Sequence, residues 1–66
     1  MKNYIQKFIE NEDFASEEEY FEEVKKDKNA VMDYLKWRVN GGKSDNEILP
    51  NGYRQAAKEA LDDLMI

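Results

Sequence analysis

Sixty-six residues with no cysteine, no histidine and a net charge of −5 leave room for one small domain and exclude disulfides and the zinc centres built from those two residue types. A chain this short buries only about 60% of the surface it exposes when unfolded. Close packing or self-association then has to supply the stability, and a homodimer is one expectation. Eight aromatics exceed what a disordered chain carries, and no apolar run approaches the roughly 20 residues of a membrane-spanning helix.

Met1-Lys2-Asn3-Tyr4-Ile5 has no signal-like apolar core, so a cytoplasmic location is expected. Lysine outnumbers arginine, and Asn, Ile and Tyr are well used. Those residues have A/T-rich codons, which points to an A/T-rich bacterium or its phage. Charge is segregated along the chain. The first 23 residues carry eight acids against Lys2 and Lys7, and the remaining residues are close to neutral. An acidic total opposes direct binding to nucleic acid or anionic lipid, because both require positive charge.

Tyr4, Ile5, Phe8 and Ile9 fall on one face of a helix running from Asn3 to Glu10, with Asn3 as a candidate cap. Residues 11–15 read as a connection in which Phe14 plugs the core. Ser16-x-x-Glu19 is a capping box, and Glu17, Glu18 and Glu19 fill the first turn, where the helix dipole favours negative charge. Tyr20, Phe21 and Val24 share a face beyond it.

Asp27 or Asn29 could cap a new helix. A single continuous or kinked helix over 17–39 is equally compatible with the stripe through Val31, Leu35 and Val39. Gly41-Gly42 ends this region. A hairpin at Asn40-Gly41 is the alternative, since Leu35-Lys36-Trp37-Arg38-Val39 alternates, although the mate strand 42–46 is poor strand material. Ser44-x-x-Glu47 repeats the capping-box pattern ahead of a short turn through Ile48-Leu49, and Pro50-Asn51-Gly52 is turn chemistry. Tyr53, Ala56, Ala57, Ala60, Leu61, Leu64 and Met65 form the clearest helical stripe.

Residues 1–66 therefore read as one all-α domain, a bundle of three to four short helices, with a small α+β domain as the alternative. The expected core is Tyr4, Ile5, Phe8, Ile9, Phe21, Val24, Val31, Leu35, Tyr53, Ala57, Leu61 and Leu64.

Catalysis is not expected. Threonine is absent along with cysteine and histidine, and both serines, Ser16 and Ser44, are assigned to caps. No phosphate loop, calcium loop or cofactor motif occurs, so no cofactor and no metal are expected. Two features remain. Glu18, Glu19, Glu22 and Glu23 lie opposite the apolar face of their helix, and Glu10, Glu12 and Asp13 could extend that row. Tyr34 and Trp37 lie off the main stripe of theirs, where they could anchor a partner or a second subunit.

The expectation is a protein-binding module, an inhibitor or modulator from a phage or mobile element. It would present a face resembling DNA phosphates to a basic, nucleic-acid-binding partner protein. A helix-turn-helix-like DNA-binding regulator using Arg54, Gln55 and Lys58 is the second reading. A structural or assembly subunit is the third.

Overall fold

The computed structural model describes residues 3–66 and contains four helices: α1 (Asn3–Glu10), α2 (Glu17–Lys26), α3 (Lys28–Val39) and α4 (Tyr53–Met65). No strand occurs among the described residues, so the all-α bundle holds and the hairpin does not form. Asn40-Gly41 acts instead as the end of α3. Gly41 takes φ 89°, its N–H bonds Arg38 O at 3.0 Å, and Gly42 N–H bonds Trp37 O at 2.8 Å. This pair of bonds is a Schellman motif, which satisfies carbonyls that the helix end would otherwise leave open.

The same motif closes α1 without a glycine. Glu12 sits at φ 64°, its N–H bonds Ile9 O at 3.1 Å, and Asp13 N–H bonds Phe8 O at 2.9 Å. At the other end of α1, the cap assigned to Asn3 rests on a side chain outside the described residues.

Residues 17–39 form two helices, and Asp27 is the joint. With φ −154° and ψ 86° it leaves helical geometry. Its N–H closes α2 on Glu23 O at 2.9 Å, and its carboxylate accepts the Ala30 N–H at 3.1 Å to cap α3. Ser16 begins α2 as expected, accepting the Glu19 N–H at 3.1 Å, while the Glu19 carboxylate accepts the Ala15 N–H.

The second capping-box pattern opens no helix. Ser44 N–H does reach the Glu47 carboxylate at 2.9 Å, but 44–50 stays irregular with a turn at 45–46. Helix α4 starts after Gly52, at φ 81°, and Arg54 donates from Nε and Nη2 to Val39 O at 3.1 and 3.0 Å. A cation thus sits at the negative end of α3.

Helix α4 packs mainly on α3 and α1, and α2 packs on α3 and, less, on α1. The alanine stripe makes this close approach possible: Ala56, Ala57 and Ala60 are all buried. Phe8 is the hub of the core. Its ring lies 5.8 Å from Tyr4, 6.0 Å from Phe14, 5.8 Å from Tyr20 and 5.6 Å from Tyr53. Each fully buried large side chain, such as Phe8, Ile5 or Leu35, contributes about 1.5–3 kcal/mol.

The expected core loses Phe21 and gains Tyr20, Ala56 and Ala60. Tyr20 is 1% exposed and Phe21 is 49% exposed. At about 100° per residue the inward face of α2 centres on Tyr20 and Val24, which leaves Phe21 on its edge. Ile9, Val24, Leu61 and Leu64 line the core from half-buried positions.

Candidate functional site

The acidic stretch of residues 10–23 divides into inward and outward carboxylates. Asp13 is the inward one. The α1 terminus at Glu12 turns the chain so that Asp13 points under α3, where its side chain is 3% exposed. It accepts Arg38 Nη2 at 2.8 Å, the hydroxyls of Tyr34 and Tyr53, and more distantly the Asn11 amide.

Arg38 is buried on α3, between these groups and Glu47. Its five N–H donors are all placed. Nε donates to Tyr34 Oη at 3.1 Å, Nη1 to Gly42 O at 3.3 Å and Glu47 Oε1 at 2.9 Å, and Nη2 to Asp13 at 2.8 Å and Glu47 Oε2 at 3.1 Å. The Glu47 contact is the two-pronged geometry that guanidinium and carboxylate share. Asn11 Nδ2 adds a bond to Glu47 Oε2 at 3.0 Å. Two carboxylates thus share one cation. The excess negative charge is held by neutral donors, a requirement for ions taken out of water.

Ionisation follows from this geometry. Arg38, then the Ser44 N–H and Asn11, hold the Glu47 carboxyl down to about 2. Burial would lower the Arg38 guanidinium, and the hydrogen bonds it donates to Glu47, Asp13 and Tyr34 more than reverse it. Burial first, then the bond to Asp13, raise the phenols of Tyr34 and Tyr53. Tyr4 is raised by burial and then by a hydrogen bond to Asp63, which ties α1 to α4. The Arg38 guanidinium and both carboxylates are each bonded within the network. The network is a joint between the 11–13 turn, α3, the 43–47 segment and α4.

The outward carboxylates are different. Glu10, Glu12, Glu18, Glu19, Glu22 and Glu23 are exposed. Glu10 accepts the Gln6 amide at 3.4 Å, and Glu19 is engaged through one oxygen in the α2 cap. Glu18, Glu22 and Glu23 make no ion pair among the described residues. Around α2, Glu18 and Glu22 point directly away from Tyr20, whereas Glu19 and Glu23 flank the side that meets α3. There they line a groove of about 330 Å³ with Asp13, Phe14, Ala30, Val31 and Tyr34.

Of the two aromatics singled out from the sequence, Tyr34 is half-buried with its hydroxyl committed to Asp13. Trp37 is 44% exposed, and its ring centre lies 4.8 Å from the Arg38 guanidinium carbon. A Cβ on Gly42 would land on the indole, so the glycine lets the ring lie flat over the chain. Arg38 and Glu47 were not among the residues expected to matter. The available signal was the position of Arg38, three residues after Leu35 and seven after Val31, on the buried stripe of α3. An arginine there requires an acid beside it.

Compared with known proteins, the chain matches no family model, no curated protein and no solved structure. No helix among the described residues is long and apolar enough to cross a membrane.

Proposed function

We propose that this chain is a small protein-binding module that docks the acidic face of α2 on a basic surface of a partner protein. The observation that carries this reading is the set of exposed carboxylates on α2, Glu18, Glu22 and Glu23, without an ion pair among the described residues. Like charges held together on one helix destabilise it slightly. A cationic partner relieves that repulsion, speeds encounter and selects against acidic competitors. A nucleic-acid-binding protein is the partner class that such a face suits, because its binding surface already accepts a row of negative charge. Modulation or inhibition of that protein is the corresponding role.

The test is charge reversal where no structural bond is lost: Glu18→Lys, Glu22→Lys and Glu23→Lys together, followed by capture from lysate at low and high salt. Recovery of basic proteins is expected to fall with the substitutions and with salt. Recovery indifferent to both ends the proposal. The wild-type protein is expected to leave DNA unshifted at low salt. A shift that depends on Arg54 and Lys58 would favour a DNA-binding regulator instead.

A further inference from the structure

The groove between α2 and α3 differs from the rest of the acidic face because it has an apolar floor. Phe14, Ala30 and Val31 form that floor, Tyr34 forms a wall, and Glu19 and Glu23 stand one turn apart on the rim. Phe14 and Tyr34 meet edge to face with ring centres 6.3 Å apart. Asp13 also lines the groove, but its oxygens are occupied by Arg38, Tyr34 and Tyr53. Both oxygens of Glu23 and one of Glu19 accept nothing among the described residues.

We infer that this groove receives one arginine side chain from a basic segment of the partner, an inference that rests on the protein-docking reading above. The volume, about 330 Å³, is at the small end for a binding pocket. It fits a single long side chain better than a folded element. The aliphatic stem of an arginine would cover Phe14 and Val31. Its planar head can lie against the Tyr34 side chain, whose ring centre already lies 5.3 Å from the Arg38 guanidinium carbon, and reach both rim carboxylates at once. A lysine offers a point charge and no plane. A phosphate or a carboxylate would be repelled by the rim.

The probes are three blocked tripeptides, Gly-Arg-Gly, Gly-Lys-Gly and Gly-citrulline-Gly, added to isotope-labelled protein at low salt while amide shifts are followed. The arginine peptide is expected to give saturable shifts at Phe14, Glu19, Glu23, Val31 and Tyr34, with smaller shifts at Glu18 and Glu22. The isosteric but neutral citrulline peptide is expected to give none, and the lysine peptide to bind more weakly. Glu23→Gln is expected to weaken arginine binding roughly three- to fivefold, the effect of one exposed ion pair. Ala30→Arg, at an exposed position of α3, places the protein's own cation at the groove and is expected to abolish it.

Equal shifts from the lysine and arginine peptides would overturn the arginine assignment. Shifts spread evenly over Glu18 and Glu22, or surviving in both variants, would overturn the groove. If the groove fails while partner capture still depends on Glu18 and Glu22, the acidic-face reading stands without it. If capture is also indifferent, both fall.

Discussion

Asp13 and Glu22 belong to the same acidic stretch of sequence, and they meet opposite environments. Asp13 is taken out of water, and its cost is offset by a cation and two phenols. Glu22 stays in water and meets no cation among the described residues. The lesson is that a run of acids is not one feature. The αL turn at Glu12 rotates one of them inward, and the helical repeat of α2 then aims the others outward. The buried carboxylate holds the fold together. Of the outward ones, Glu19 joins the α2 cap, while Glu18, Glu22 and Glu23 form no ion pair among the described residues.

The contrast can be broken most forcefully at Arg38. Arg38→Met removes the cation and leaves Asp13 buried without one, which should cost about 3–5 kcal/mol. Total stability of a chain this size is about 3–10 kcal/mol. Denaturant melts should therefore show a variant that has lost a large share of its stability. A loss below about 1 kcal/mol would mean that the joint is dispensable.

Acid attacks the same joint from the other partner. The folded pKa of Glu47, about 2, lies below its unfolded value of about 4.3. Its contribution is therefore complete above about pH 4.3 and is lost as pH falls from there towards 2. Denaturant midpoints measured across this window should fall for the wild type. They should fall distinctly less for Glu47→Gln, which starts lower and has no carboxylate to protonate. Parallel curves would assign the acid sensitivity to other groups.

The turn that separates the two environments should be improvable. Glu12 bears the left-handed conformation without being glycine. Glu12→Gly should stabilise by about 0.5–1 kcal/mol, the strain relieved less the greater chain entropy of glycine. A thermal melt checks the sign, and a loss of stability would mean that the glutamate side chain matters at this turn.

The smallest expected effect lies on the outward side. Glu18→Gln with Glu22→Gln should leave stability within about 0.5 kcal/mol of wild type. A larger loss would show that these carboxylates are bound into the fold after all.

Much of this architecture was legible in the chain. The Ser16 box and the Gly41 stop rest on contacts within a few residues of one another, and the stripe from Tyr53 to Leu64 followed from helical spacing, with Met65 beyond it left exposed. The choice of Tyr20 over Phe21 turned on helical angle, where apolarity alone favours Phe21. The break at Asp27 was legible only as an option, because its two capping bonds depend on where α2 and α3 come to rest. For the site, the exposure of the α2 glutamates followed from the wheel. The burial of Asp13 did not, since its partners Arg38, Tyr53 and Tyr34 come from distant parts of the sequence. Ser44-x-x-Glu47 had the local pattern of a helix start, and Glu47 was drawn instead to Arg38.

Asp27 has one more implication. A single residue serves as the last of one rod and the first of the next, so α2 and α3 behave like the two arms of tweezers with Asp27 at the pivot. Glu19 and Glu23 ride on one arm, and Ala30, Val31 and Tyr34 on the other. At the closed end of the opening, Asp27 bonds both arms, donating its N–H to Glu23 O and accepting the Ala30 N–H on its carboxylate. Both of those bonded residues line the opening, so a change at the pivot would reach the groove directly through Glu23 and Ala30.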